Sequence, residues 1–288
     1  MKISIVIVTY NSINLIKDCI DSIYRYNDLQ KDQIEIIVVD NSSEDEGRKL
    51  KSFLDTNYPQ EIRFFKNENL GYGHGNNIGI RAASGEVIAI MNPDVVLIEP
   101  VFVKVIKKFK KNKKLAMIGG KQYGHVNTSF YIRPEKEFFI ITLFLGLLFN
   151  RVNYYNENFM FLSGALLFLD KEKFESIEMF DENIFLYCEE PDVTLRFLEK
   201  GYKTAFDKNI TYRHLIDGRN DMSDFTFKTA LKSTQYYFKK FNFNHKRFIK
   251  QKIFSFKIKA LIHKLLHQNQ KYETARLFYN RYMSEKNK

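Results

Sequence analysis

The sequence predicts an α/β fold: a mostly parallel sheet flanked by helices, followed by a basic helical extension. Three observations carry this. Up to Gly120, short apolar runs rich in β-branched residues alternate with segments of helical periodicity. The fourth run ends on a polar turn, Asn92-Pro93-Asp94, at the edge where open α/β sheets bind ligands. Charge is also partitioned. From Lys228 onward there are 16 Lys/Arg against 2 Asp/Glu, a net of +14, whereas the first 227 residues carry 29 basic and 32 acidic side chains.

The elements follow in order. Ile3–Val8 reads as a buried first strand. Its run is too short and too β-branched for a secretory signal, and Tyr10-Asn11-Ser12 stands where a cleavage site would be. Asn11 and Ser12 offer caps to a helix marked by Leu15, Cys19, Ile20 and Ile23. Ile34–Val39 is the second strand, and Ser42-Ser43-Glu44 opens a helix carrying Leu50, Phe53 and Leu54. Ile62–Phe65 and Val87–Met91 are the third and fourth strands, with the Ile78/Ala82 helix between them. Phe102, Val105, Ile106 and Phe109 mark the next helix, and Leu115–Ile118 the fifth strand. Such alternation predicts parallel strands joined by right-handed crossovers.

The pattern breaks after Gly119-Gly120. A polar stretch runs to Arg133-Pro134, and Phe138–Phe149 is then almost continuously apolar. That run is too short to cross a bilayer as a helix, which needs ~20 residues. Met160–Leu169 reads as one strand interrupted by Ser163-Gly164, Asp192–Lys200 as a helix closed by Gly201, and Tyr202–Phe206 as a short strand. From about Asp224 the chain reads as basic, aromatic helices. The boundary is placed between a main domain, 1–222, and an extension, 223–288.

With 288 residues and 44% hydrophobic content, the chain can bury a sizeable core. Cys19 and Cys188 have no metal-type spacing and fit a reducing, cytoplasmic setting. The basicity belongs to the extension and says little about the main domain. Nucleic-acid binding is not expected, because the tail's aromatics fit helix packing or a membrane surface equally well.

Several side chains have the chemistry of a site. Asp94, at a strand end, suits a divalent cation that neutralises a diphosphate, although Asp is also an ordinary turn former. Thr9-Tyr10-Asn11 and Asp40-Asn41-Ser42-Ser43 end adjacent strands and could line a crevice for a ribose or base; Asn11 and Ser42 fit plain helix caps as well. The loop Asn69–Gly79, with Gly71 and Asn76, opens a helix and could approach phosphate closely. Its glycine spacing is not the dinucleotide fingerprint, and a tight turn is the competing reading. Glu189, Glu190 and Asp192 begin a helix, where its dipole favours them; one of them could instead serve as a general base for a hydroxyl. His214 follows the last strand and would be a metal ligand if it returned to Asp94.

Taken in this order, the motifs resemble glycosyltransferase family 2, the inverting enzymes of GT-A fold, and in particular the rhamnosyltransferase-type enzymes of polysaccharide and O-antigen assembly. Ser4–Asn11 is similar to the family's opening strand and Val38–Ser43 to its Val-Asp-Asn-Ser element. Asn69–Ile80 is similar to its Asn-Leu-Gly loop, and Asn92-Pro93-Asp94 to its metal-binding element. Ser163-Gly164-Ala165 resembles the acceptor-side element, Phe180–Phe185 with Glu189–Asp192 the acidic catalytic segment, and His214 with Gly218 the late His element. The likeness covers roughly residues 3–220. One departure stands out: Glu189-Glu190-Pro191-Asp192 replaces Glu-Asp-Val-Asp, so the base falls on Glu190, one methylene longer, with Asp192 as the substitute. Pro191 suits the first turn of a helix.

The resemblance implies a Rossmann-like GT-A sheet that binds a nucleotide-diphosphate sugar through Thr9, Tyr10, Asn11, Asp40, Asn41, Gly71, Asn76 and Asn92. It implies Mn²⁺ or Mg²⁺ on Asp94 and His214, and an acceptor side formed by Ser163, Gly164 and Glu189. The implied reaction moves a sugar, rhamnose being one candidate, to a glycan or lipid-linked acceptor in cell-surface polysaccharide synthesis. Two alternatives are a degenerate nucleotide-sugar binder, favoured by Glu190 in place of Asp, and a sugar nucleotidyltransferase. The latter needs a basic Gly-rich loop after the first strand, which Thr9-Tyr10-Asn11-Ser12 lacks. The apolar Phe138–Phe149 run and the basic tail lead to the expectation of peripheral contact with the anionic inner face of the cell membrane. The competing expectation is that the tail's apolar face packs on the main domain or on a second copy, as a homodimer.

Overall fold

The computed structural model describes residues 1–59, 61–124, 128–138, 141–215 and 223–286. Its strands are β1 (Ile3–Thr9), β2 (Ile34–Asp40), β3 (Ile62–Lys66), β4 (Val87–Met91), β5 (Val95–Leu97), β6 (Leu115–Tyr123), β7 (Phe130–Ile132), β8 (Met160–Leu162), β9 (Leu166–Asp170) and β10 (Lys203–His214). Its α-helices are α1 (Ile13–Arg25), α2 (Glu44–Asn57), α3 (Tyr72–Ala82), α4 (Phe102–Lys111), α5 (Ile141–Val152), α6 (Lys171–Ser176), α7 (Glu189–Glu199), α8 (Asp224–Lys240), α9 (His245–Leu265) and α10 (Asn269–Glu285).

Eight strands form one sheet in the order β3-β2-β1-β4-β9-β6-β10-β5. β1 to β4 are mutually parallel, β9 runs antiparallel between β4 and β6, β10 is parallel to β6, and β5 is antiparallel on the outer edge of β10. Period-2 alternation distributes the core. Ile3, Ile5, Ile7, Ile36 and Val38 face α1, α2 and α4, whereas Val6, Ile37, Val39, Ile88 and Ile90 face α3 and α7. Cover on both faces is why these strands read as continuous apolar runs.

The structure departs from the sequence reading in several places, among them β7 inside the stretch read as polar and irregular. β6 does not stop at Gly119-Gly120 but continues to Tyr123; a Cβ on Gly120 would collide with the Ile210 carbonyl of β10, so close strand approach requires the glycine. Met160–Leu169 is two strands: β8 pairs with β7 in a separate two-stranded sheet, and β9 returns to the main sheet. The strand read as Tyr202–Phe206 extends to His214, with an irregularity between Asp207 and Thr211. Sequence reasoning missed β5, although Val95-Val96-Leu97-Ile98 is an apolar run as long as Leu115–Ile118. Phe138–Phe149 is largely the helix α5, residues 139 and 140 lying outside the described ones. Among the described residues no helix is long and apolar enough to cross a membrane.

The 222/223 boundary adjoins the undescribed segment 216–222, and Ser223 caps α8 by accepting from Thr226 N. The extension packs partly on the main domain. Tyr237 and Phe238 of α8 are buried, the Tyr237 hydroxyl donates to Glu135 Oε2 at 2.8 Å, and Phe248 and Ile249 of α9 join the same cluster. α10 stacks Phe278 and Tyr282 on Phe256 of α9. Phe254, Leu261, Leu265 and Leu266 nevertheless stay exposed.

Candidate active site

The strand ends bring the expected residues to one edge, in different roles. At the end of β1, Tyr10 and Asn11 are exposed, whereas Thr9 is fully buried. Thr9 Oγ1 donates to Asp40 Oδ1 at 2.8 Å, and Ser42 Oγ donates to the same oxygen at 2.7 Å while accepting from Asn11 N. Asp40 is also fully buried, with Lys66 Nζ 3.9 Å from its second oxygen. In this conformation neither Thr9 nor Asp40 presents an atom to a ligand, contrary to the expected direct contact. Buried hydrogen bonding draws both inward, and they hold Tyr10 and Asn11 in place. Ser12, expected as a cap, makes no side-chain cap bond; its hydroxyl turns back to Tyr10 O.

The glycine-rich loop is a packing hub. Gly71, at φ +118°, lies against Phe185, and Tyr72 N donates to Phe185 O at 2.9 Å. Asn41 Nδ2 donates to Gly71 O, Asn76 is buried and donates to Tyr72 O, and Asn77 holds Phe180 and Glu182. These contacts tie the 180–188 segment, which leads into α7, to the ends of β1 and β2.

Asp94 and His214 are brought together. Between them, β5 and β10 pair antiparallel, with His214 opposite Val95, and Leu215 N donates to Asp94 O. His214 Nε2 lies 3.0 Å from Asp94 Oδ2, with the two side chains 17% and 5% exposed. No group of three or more His, Cys, Asp and Glu side chains among the described residues could hold a metal. A carboxylate oxygen and an imidazole nitrogen are both donor types that a divalent cation accepts, and here they lie against each other.

α7 carries the acidic cluster. The chain enters it through Tyr187 and Cys188, both at φ +72°, a left-handed conformation costly for such residues and concentrated at functional sites. Glu189 is buried, and its Oε1 has no hydrogen-bond partner among the described residues. Burial, then the adjacent Glu190 and Asp192 charges, push its carboxyl well above the ordinary range. Glu190 is half-buried, and burial raises its carboxyl too. Gly164 packs over it: a Cβ there would collide with Glu190 Oε1. Asp192 is elsewhere. It is fully buried, Arg196 binds one oxygen and Lys240 Nζ lies 2.5 Å from the other, so both are engaged by cations. That geometry leaves it no free oxygen to serve as the substitute base.

Sequence reasoning missed Tyr72. Its hydroxyl donates to Asn92 Oδ1 at 2.9 Å and lies 3.3 Å from Gly164 O. Burial, then Glu190, Glu189 and Asp94, push its phenol above the usual range, so all three carboxylates act on one hydroxyl. No spacing in the sequence signals this. Lys240 and Gln122 were also missed; Gln122 Oε1 is shared by Ser163 and Tyr212. The Asp192–Arg196 pair was legible as an i,i+4 spacing. Gly218 lies outside the described residues.

The model of "Glycosyl transferase family 2" matches residues 4–178. The O-antigen chain rhamnosyltransferase RfbN of Salmonella typhimurium is 23% identical over 217 residues, covering 74% of this chain and 66% of RfbN. The rhamnosyltransferase WbbL of Escherichia coli is 27% identical over 184 residues, covering 57% of this chain and 68% of WbbL. The chain spans only 28% and 25% of the length of two uncharacterized glycosyltransferases it also matches, from Nostoc sp. and Rickettsia bellii. In fold it is similar to the mannosyltransferase PcManGT from Pyrobaculum calidifontis, solved in complex with GDP-Man and Mn²⁺. The TM-score is 0.61 at 16% identity, covering 96% of this chain and 73% of that one. The mostly parallel sheet is thus of GT-A type, as the sequence implied.

Proposed function

The chain belongs to glycosyl transferase family 2, and from that premise we propose an inverting, metal-dependent transferase that moves a sugar from a nucleotide diphosphate to a glycan or lipid-linked acceptor in polysaccharide synthesis. Two relatives named as rhamnosyltransferases support rhamnose as the sugar. The observation that carries the reading is Tyr72, whose hydroxyl joins Asn92, beside Asp94, to Gly164, beside Glu190. That link supports reading a candidate metal side and a candidate base as parts of one site.

In this reading Tyr10 and Asn11 meet the nucleotide, and Asp94 with His214 holds Mn²⁺ or Mg²⁺. The cation, when bound, offsets charge developing on the leaving diphosphate. Glu190 takes the proton of an acceptor hydroxyl, and the oxygen attacks the anomeric carbon from the face opposite the nucleotide, the geometry of a single displacement. Its raised pKa makes the carboxylate a stronger base once ionised. Burial also raises the adjacent Glu189 carboxyl, so the two neighbouring groups titrate as a pair and do not both ionise readily.

Hydrolysis and transfer assays with a panel of nucleotide sugars and Mn²⁺ test this. Asp94→Ala should lose metal-stimulated turnover, and Glu190→Gln should lose roughly 10²–10⁴-fold in kcat while retaining donor binding; Glu190→Asp should stay active. Full activity in excess chelator, or near-normal turnover of Glu190→Gln, would refute the reading.

Peripheral attachment to the anionic inner face of the cell membrane is part of the same proposal. α5 exposes Ile141, Phe144, Leu147 and Leu148, and each basic residue of the extension near an anionic leaflet contributes about 1 kcal/mol. A second copy covering the same faces is the competing arrangement.

A further inference from the structure

Between α5, the β7–β8 pair and α9 lies an apolar groove of about 400 Å³, within the ~300–1,000 Å³ of small-molecule sites. Tyr131, Phe161, Leu147 and Phe256 give it apolar walls, and Lys252 and Lys259 reach it from α9. Glu137 is the carboxylate among the lining residues, and it pairs with Lys252 at 2.5 Å. Lys259 has no ion pair among the described residues; its ammonium sits 4.9 Å from the Phe256 ring centroid. Among the described residues the groove therefore holds two ammonium groups and one carboxylate, an excess positive charge against apolar walls. Burial, then Lys252, lower the Lys259 pKa, which is the strain an anion would relieve.

The position is as telling as the charge. Phe161 of β8 lines the groove, and Gly164, three residues on, packs over Glu190. An extended chain covers that separation in about 10 Å. The groove opens beside the exposed apolar residues of α5.

We propose that this groove binds a phosphate-bearing lipid of a single apolar chain, with the phosphate between Lys252 and Lys259 and the chain along α5, and that this lipid carries the acceptor glycan toward Glu190. The assignment rests on the transfer to a lipid-linked acceptor proposed above. A bilayer phospholipid offers the same phosphate on two chains, and a groove of about 400 Å³ favours one.

The test is binding of farnesyl phosphate to the full chain, followed by titration calorimetry, alongside farnesol, inorganic phosphate and phosphatidic acid vesicles. Farnesyl phosphate should bind at least about tenfold more tightly than farnesol, about 1.4 kcal/mol, and excess inorganic phosphate should not displace it. Two variants probe the groove without touching Asp94, Tyr72 or Glu190. Lys259→Glu reverses the excess charge. Gly146→Phe fills the slot from α5, where an added Cβ meets nothing within 4 Å and where glycine is a poor helix former. Each should weaken binding at least about tenfold and leave donor hydrolysis at the wild-type rate. Unchanged binding in both variants, or binding to phosphatidic acid vesicles alone, overturns the assignment. Donor hydrolysis without farnesyl phosphate binding rejects the groove and spares the transferase reading; binding without hydrolysis of any donor does the reverse.

Discussion

Replacing Lys240 by Met should both loosen the molecule and slow it. Lys240 Nζ lies 2.6 Å from Asp181 Oδ2 and 2.5 Å from Asp192 Oδ1, with the three side chains 24%, 12% and 1% exposed. Breaking a buried pair by removing one partner costs ~3–5 kcal/mol. Here the loss is smaller, because Asp192 keeps Arg196 and Asp181 keeps Asn183 and Tyr236; about 2–3 kcal/mol remains. The Asp181 carboxyl points the same way: burial alone would raise it, but hydrogen bonds from Lys240 and Asn183 outweigh burial and bring it from 3.8 down to about 2, and only the Lys240 part of that shift is lost in the variant. Thermal melting should therefore fall by about 4–12 °C at pH 7, at roughly 2–4 °C per kcal/mol. A depressed carboxylate stabilises above its unfolded pKa and loses that stability as pH falls through its folded one. The deficit should hold from neutral pH to about 5 and shrink toward pH 3. Glu190 shares α7 with Asp192, so kcat should drop more than donor KM rises, and Lys240→Arg should restore both. A deficit below about 1 °C at pH 7, or one undiminished at pH 3, would refute the reasoning.

Gly164→Ala should cut kcat by at least about tenfold with little change in melting, because the added methyl must displace the Glu190 carboxylate and not the core; a fully active variant would show that Glu190 does not need this position. Sedimentation with liposomes should show binding to anionic but not neutral vesicles, weakened by salt and by removal of residues 246–288. Absence of binding to either at low salt would reject membrane attachment, and binding that survives the truncation would move the contact to α5.

The central strands and the Asp94 edge were legible because both faces of the sheet are covered, so burial shows directly as apolar runs. What was lost depended on partners far along the chain. β5 is three residues long and exists because β10 pairs with it. Gly119-Gly120 reads as a break, yet the strand passes through because Ile210 needs the space. The acidic run at 189–192 identified the segment but not which carboxylate is held between cations and which is left half-buried. Helix phase turns Asp192 inward toward Arg196 and toward Lys240, 48 residues away. Tyr72 carried no signal, since its importance lies in the three carboxylates around it. Amphipathic periodicity in the tail showed that it would pack, but could not show how much of it the main domain covers.

The pairing of β5 with β10 also imposes a schedule. Asp94 and His214 are neighbours in space but 120 positions apart in sequence. At roughly 5–20 residues per second of synthesis, Asp94 leaves the ribosome about 6–24 s before its partner does. During that interval the parallel half of the sheet can form, but the edge that β10 will occupy on β6 is bare and Asp94 lacks its imidazole neighbour. The Asp94–His214 contact is thus a late property of this chain, acquired in the same step that covers its exposed sheet edge. A nascent or truncated product ending before β10 would both lack that contact and be prone to edge-to-edge association.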